Sequence, residues 1–138
     1  MQRVVLDTNV VLSGMLSNFG PAAVILGLVL NRRLGLVLDE RILDEYEEVM
    51  NRPRFGLGHR DLLTVLERLR RVAQVHAPQA VPGGRRGFPD PDDVMFVEAA
   101  LGARADWLVT RNLKHFPPAR CGGVKIITPE QVVERIDL

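Results

Sequence analysis

Two acidic residues occupy positions where packing alone favours apolar side chains. Asp7 directly follows the apolar run 3–6, and Glu45 shares one helical stripe with Ile42 and Val49. A carboxylate on a core-facing stripe is costly to bury without a partner, and a divalent cation is one such partner. Two plainer alternatives stay open: Asp7 caps a helix, and Glu45 lies at the helix rim or pairs with an Arg.

A third acid, Asp93, opens the apolar face of a further predicted helix, and Asp90 and Asp92 stand beside it. Taken alone, each of these three acids is explained by a place in the first turn of a helix, where the helix dipole stabilises negative charge. Acids that end a strand or open an inner helix face in three separate segments are expected to converge at one edge of a parallel sheet. Convergent carboxylates indicate a hard cation. The chain has one Cys and three His, so we expect Mg²⁺ or Mn²⁺ rather than Zn²⁺.

The elements that must position these acids alternate between strands and helices. Short apolar runs predict strands at 3–6, 34–38, 107–110 and 124–127. Helical spacing of apolar side chains predicts helices at 22–30, 40–50, 59–72, 92–101 and from Pro129 onward, and Asn9 is a candidate helix cap. Residues 78–91 contain four Pro and three Gly, which indicates a loop. We therefore expect a single three-layer α/β/α domain over residues 1–138, with a central parallel sheet.

The composition excludes several classes of protein. A chain of 138 residues with 46% hydrophobic residues can form a core without disulfides, and its one Cys cannot form an internal one. The longest apolar run, 21–30, is about half of what a membrane span needs, and the first residues do not resemble a signal peptide. We expect a cytoplasmic protein that does not associate with membranes.

The formal net charge of +1 hides a strong segregation of charge along the chain. Residues 37–50 contain six acids and one Arg, whereas residues 51–71 contain six Arg and two acids. Residues 111–125 are free of acids and contain four basic side chains. One interpretation is solvated helix faces; the other is an acidic centre flanked by basic surface, which suits a metal site that admits a polyanion.

Four motifs together resemble a known family. They are Asp7-Thr8-Asn9 after an apolar strand, Glu45 within ILDEYEEVMNRP, Asp90-Pro-Asp-Asp93 before VMFVEAAL, and Trp107-Leu-Val-Thr-Arg-Asn112. In this order and at this spacing the chain resembles the PIN domain, and most closely the small single-domain bacterial and archaeal PIN proteins that are toxins of toxin–antitoxin pairs. The resemblance implies a Rossmann-like sheet and metal-dependent ribonuclease activity.

The resemblance also assigns roles to residues. It implies that Asp7, Glu45 and Asp93 are catalytic and bind metal, with Asp90 and Asp92 as further candidate ligands. The family's fourth acid is replaced by Asn112, which can coordinate a metal through its carbonyl but brings no charge; Asp92 or Asp90 is the candidate substitute. Polar positions that orient the acids or touch the substrate phosphate correspond to Thr8, Asn9 and Thr110. Candidate contacts to the RNA are Arg111, Lys114, Arg52, Arg54 and Arg68, with Phe116 as a base-stacking residue.

The carboxylate pattern favours a Mg²⁺ or Mn²⁺ site, and the resemblance implies an endoribonuclease that uses this ion to hydrolyse RNA phosphodiester bonds. By resemblance, its expected partners are RNA, a cognate antitoxin and a second copy of the chain in a homodimer. The alternative is a degenerate PIN-like module that binds RNA or a protein without cutting, which the uncharged Asn112 motivates. A haloacid dehalogenase type of phosphoryl transfer is disfavoured, because that family needs an Asp at position 9, where this chain has Asn.

Overall fold

The centre of the molecule is a sheet of five strands, all parallel to their neighbours. The structure is a computed structural model that describes residues 1–136 of the chain. In chain order the strands are β1 (Arg3–Leu6), β2 (Gly35–Leu38), β3 (Gln74–Val75), β4 (Trp107–Val109) and β5 (Ile126–Ile127). Their order in space is β3-β2-β1-β4-β5, so β2 and β3 lie on one side of β1, and β4 and β5 lie on the other. The carboxyl ends of β1 and β4 therefore border the crevice in which ligands of such sheets bind.

Within the described residues, six helices flank the sheet and complete the three-layer α/β/α fold that the sequence predicts. They are α1 (Thr8–Leu16), α2 (Pro21–Leu30), α3 (Glu40–Met50), α4 (His59–Val72), α5 (Val94–Ala103) and α6 (Pro129–Arg135). Short 3₁₀ turns lie at Pro53–Phe55, Pro91–Asp93, Leu113–His115 and Pro118–Arg120. The turn Pro91–Asp93 contributes Asp93 to the site described below, and the turn Leu113–His115 contributes His115.

Local chemistry fixes where several of these helices begin. Pro21 occupies the first turn of α2, where its missing N–H costs nothing. Thr128 and Gln131 form a capping box at the start of α6. Asp39, which ends β2 as Asp7 ends β1, accepts a hydrogen bond from the Ile42 amide at 3.1 Å and so caps α3. Asp39 therefore has a structural role that Asp7, as shown below, does not share.

The core lies on both faces of the central strands. Val4, Val5 and Leu6 of β1 are fully buried, and α5 packs against β1, β2 and β4. Tyr46 and Phe96 are among the largest fully buried side chains. No single helix among residues 1–136 is long and apolar enough to cross a membrane, whereas α1 and α2 pass that test as a pair bent by 100°.

The structure corrects several predicted boundaries. The helix that we expected Asn9 to cap begins two residues earlier, at Thr8, with Asp7 at the capping position. The helix predicted at 92–101 is a 3₁₀ turn followed by α5, and the strand predicted at 124–127 is limited to Ile126–Ile127. The edge strand β3 was not predicted, because two residues with an exposed Val75 leave no pattern to detect.

Two helical glycines give a matched test of packing. A Cβ at Gly102 in α5 would overlap the Ala77 carbonyl and lie 2.9 Å from Pro78 Cα, whereas a Cβ at Gly27 in α2 would meet nothing within 4 Å. We expect Gly102→Ala to lower the free energy of unfolding by about 1–3 kcal/mol through overpacking. Gly27→Ala should raise it by up to about 1 kcal/mol, because Ala favours the helix. Urea unfolding of both variants checks this, and two variants of equal stability would refute the close packing of residues 77–78 on α5.

Candidate active site

The carboxyl ends of the central strands place Asp7 beside Thr110. Asp7 follows β1 and Thr110 follows β4, and the two strands pair in parallel. The Thr110 hydroxyl donates to Asp7 Oδ2 at 2.7 Å, and both side chains are buried. Although Asp7 stands at the capping position of α1, its side chain makes no capping hydrogen bond. The carboxylate of Asp7 is thus held by the neighbouring strand rather than by the helix that it precedes.

Glu45 approaches Asp7 from α3, and its neighbour Tyr46 fixes this approach. The buried Tyr46 hydroxyl donates to the carbonyl of Leu6, the last residue of β1, at 2.5 Å. This contact sets the position of α3 against the end of β1. Glu45 lies half-buried at the position before Tyr46 and accepts a short hydrogen bond from the Thr8 hydroxyl. Tyr46 is a site residue that the sequence analysis missed.

Asp93 comes from the 3₁₀ turn before α5 and contacts a histidine. Asp93 is buried, and its Oδ2 lies 2.9 Å from His115 Nδ1. Asp90 accepts a hydrogen bond from the Asp92 amide at 2.9 Å, which shapes the turn, and Asp92 itself is exposed. The spacing of apolar and acidic residues does not predict that His115 lies beside Asp93. The one sequence signal is that His115 lies in the loop that follows β4.

These acids line one cleft, which we call the acidic cleft, with a volume of about 750 Å³. Its acidic lining residues are Asp7, Glu45, Glu48, Asp90, Asp92 and Asp93. Other lining residues are Thr8, Asn9, Leu12, Val49, Arg52, Arg54 and His115. The structure therefore brings together the five acids that the sequence analysis selected, although they come from three separate segments. Glu48, which the sequence analysis did not select, lines the cleft as well.

Other predicted site residues lie outside this lining. Thr110 is buried behind Asp7, and Asn112 donates its backbone N–H to the Thr110 hydroxyl at 3.0 Å. The side chains of Arg111 and Lys114 are exposed, and neither is among the lining residues of the cleft within the described part of the chain. Phe116 is fully buried in the core, so the expectation that it stacks on a base is wrong.

Burial and mutual repulsion disfavour the charged forms of the three central acids. Loss of hydration raises the pKa of Asp7 and of Glu45, and the charge of Asp7 raises the pKa of Glu45 further. Burial, together with the charges of Asp7 and Asp90, raises the pKa of Asp93 to about 6, although His115 opposes the shift. The cleft therefore concentrates negative charge at a cost to the folded protein, which a bound cation would offset.

The donor set fits a hard cation by its chemistry. Six carboxylates and the Asn9 amide line one space, and oxygen ligands of this kind suit Mg²⁺ or Mn²⁺. Among residues 1–136, however, no group of three or more His, Cys, Asp or Glu side chains is gathered closely enough to hold a metal ion. The hydrogen bonds to Thr110, Thr8 and His115 hold the three central carboxylates in their separate positions.

The raised pKa of Asp93 predicts how stability depends on pH when no metal is bound. An Asp whose folded pKa of about 6 exceeds its ordinary 3.8 stabilises the fold below the lower value. That contribution is lost as the pH rises through the folded pKa. We expect the stability of Asp93→Asn, relative to wild type, to increase by about 1–3 kcal/mol between about pH 4 and pH 7. Urea unfolding in EDTA measures this, with Asp92→Asn as the exposed control. If the difference in stability between Asp93→Asn and wild type does not change with pH, burial and the neighbouring acids do not raise the pKa of Asp93.

Comparison with known proteins adds one finding to this geometry. A family model described as PIN domain matches residues 3–114 of the chain. The matched range includes all six acids of the cleft and both central strands that border it. No curated protein matches the chain.

Proposed function

The chain belongs to the PIN domain family, whose members are usually metal-dependent nucleases, and on this premise we propose that it is an endoribonuclease that uses Mg²⁺ or Mn²⁺. The observation that supports this proposal is the convergence of Asp7, Glu45 and Asp93 on one cleft at the carboxyl ends of β1 and β4. Each of these acids has a raised pKa. Perturbed carboxylates that meet in a cleft are typical of functional sites.

We propose that Asp7, Glu45 and Asp93 hold the ion. Asp90 and Asp92 line the same cleft and supply further charge, which compensates for the uncharged Asn112. A divalent ion bound there would polarise the scissile phosphate and lower the pKa of a water molecule. None of the carboxylates needs to act as the nucleophile. Their function is to bind the ion and to keep the site negative enough to retain it.

The polar neighbours of the acids act as positioning residues. The Thr110 hydroxyl orients Asp7, and the Asn112 backbone amide donates to that hydroxyl and fixes it as a donor to Asp7. On the other side of Asp7, the Thr8 hydroxyl orients Glu45. Asn9 accepts a hydrogen bond from the Arg111 amide at 3.3 Å and so links the segments that follow β1 and β4. Position 112 therefore supports the site through its backbone.

Cleavage of RNA by the purified protein with Mg²⁺, Mn²⁺ or EDTA tests this proposal. We expect cleavage with either ion, loss of cleavage in EDTA, and loss on Asp7→Ala. Cleavage that needs no metal, or that Asp7→Ala leaves unchanged, would refute the proposal. Binding of RNA without cleavage in Mn²⁺ would instead favour the alternative, a PIN-like module that binds RNA and does not cut it.

We also propose a biological role as the toxin of a toxin–antitoxin pair. The support is the resemblance of the four motifs to small single-domain PIN toxins. The cognate antitoxin and the homodimer stay predictions. A gene beside this one that encodes a small protein with a DNA-binding N-terminus would support the toxin role.

A further inference from the structure

A second, smaller cavity adjoins the acidic cleft and contains basic side chains. Its volume is about 230 Å³, and Glu45 and Asp92 line both it and the acidic cleft. Arg41 and Arg85 line only the smaller cavity, whereas Arg54 lines only the acidic cleft. A path from Arg85 to Arg54 through the two spaces therefore passes Glu45 and Asp92. The acids that both spaces share therefore separate the lining that contains Arg85 from the lining that contains Arg54.

Two of the nearby arginines are already neutralised, and two are not. Arg41 pairs with Asp39 and Glu98, each at 2.8 Å, and Arg52 pairs with Glu48 at 3.0 Å. Neither Arg54 nor Arg85 forms a salt bridge with another residue of the described range 1–136. The guanidinium of Arg54 lies 4.9 Å from the centre of the Phe55 ring, a contact that does not neutralise its charge. Arg54 and Arg85 are therefore the cations available to a ligand.

The loop that contains Arg85 is anchored to the fold. Val81 and Phe88 are buried on either side of it, and the Gly84 amide donates to the Val81 carbonyl at 3.1 Å. Gly87 has a positive φ of 83°, and a Cβ there would lie 2.7 Å from Arg120 Nε. The positive φ favours glycine at this position, and the Arg120 side chain packs against it. Because the loop is held at both ends, the backbone that carries Arg85 has a defined position beside the smaller cavity, which Arg85 lines.

We propose that Arg85 and Arg54 each bind a phosphate of the same RNA strand, one on each side of the phosphodiester bond that is cut. This inference rests on the proposed function, because it takes the acids between the two arginines as the place of cleavage. A guanidinium group binds phosphate with paired hydrogen bonds, and the two positive charges offset the repulsion between the acidic cleft and a polyanion. A strand held on both sides of the acids is cut internally, without need of a free end.

Steady-state cleavage of a single-stranded RNA oligonucleotide with one cut site, in Mn²⁺, tests the proposal. We expect Arg85→Gln and Arg54→Gln each to raise KM about tenfold and to change kcat less than about threefold, because each removes one charge-assisted contact to phosphate. Each should also reduce the slope of log kcat/KM against log salt by about 0.7. Two control variants are Arg86→Gln, beside Arg85 in the same loop, and Arg33→Gln, which precedes β2 at the amino ends of the strands, opposite the carboxyl ends that border the acidic cleft. Both should behave as wild type.

Neutral methylphosphonate groups, placed one at a time in the oligonucleotide, identify the phosphate that each arginine binds. Neutralising the phosphate bound by Arg85 should cost the wild type about tenfold in KM and cost Arg85→Gln nothing further. A different phosphate, on the other side of the cut, should show this relation with Arg54. A circular RNA with the same cut site should be cleaved as fast as the linear one.

The outcomes separate this inference from the proposed function. If the wild type cuts the RNA and Arg85→Gln behaves as Arg86→Gln does, the inference is wrong and the proposed function stands. The same holds if both arginines respond to phosphates on one side of the cut. If the linear RNA is cut and the circular RNA resists cleavage, both are wrong, because an endoribonuclease needs no free end. If the wild type does not cut RNA with either metal, both are wrong.

Discussion

Asp7→Asn is expected to lower the rate of RNA cleavage by about 10³-fold or more without weakening the fold. Asparagine keeps the shape of the side chain and an oxygen that accepts the hydrogen bond from Thr110, but it removes the charge that binds the cation. In EDTA the variant should melt at the wild-type temperature or above it. The reason is that Asp7 is buried and its charge disfavours ionisation of both Glu45 and Asp93.

Asp39→Asn is the matched control for this prediction, because Asp39 also follows a central strand. Its carboxylate caps α3 and pairs with Arg41. Asparagine keeps the cap and loses only the ion pair, so the variant should lose no more than about 1 kcal/mol of stability and keep cleavage within about threefold of wild type. Cleavage rates at saturating RNA and Mn²⁺, with melting curves in EDTA, check both variants. A loss of stability in Asp7→Asn would mean that Asp7 is structural, and our assignment of the site would be wrong.

Glu45→Gln should reduce cleavage by about 10²-fold or more, whereas Glu48→Gln should leave it within about threefold. Both residues lie on α3 and line the acidic cleft. Glu45 is half-buried beside Thr8 and Asp7, whereas the Glu48 side chain is 66% exposed and pairs with Arg52. Both variants remove one negative charge from the cleft, but at different positions. The comparison therefore shows whether cleavage depends on where the carboxylate lies or only on the total charge. Equal losses in the two variants would show that only the total charge matters.

Much of the site was predictable because its acids obey simple local patterns. Asp7 ends an apolar strand and Glu45 interrupts an apolar helical stripe, and these patterns depend only on residues close in sequence. The parallel sheet then requires the carboxyl ends of its strands to meet at one edge. The same patterns predicted α3 and α4 with their observed bounds, since both helices combine a strong apolar stripe with a charged face.

The rest depends on contacts between residues far apart in sequence. His115 meets Asp93 across 22 positions, and Tyr46 meets Leu6 across 40, so neither contact leaves a local signal. An aromatic residue after a basic loop indicates a stacking surface, but only the packing of the loop shows that Phe116 is buried. The start of α1 was misplaced because Asp7, Thr8 and Asn9 are consecutive residues that all favour helix caps.

Titration calorimetry of Mn²⁺ into the wild type and Asp7→Asn tests the central claim most directly, which is that the acidic cleft binds the cation. The account predicts saturable binding of Mn²⁺ to the wild type and at least about tenfold weaker binding to Asp7→Asn, because the variant lacks one of the three central carboxylates. Asp39→Asn should bind as the wild type does. The absence of saturable binding to the wild type, or equal affinities for wild type and Asp7→Asn, would contradict the account.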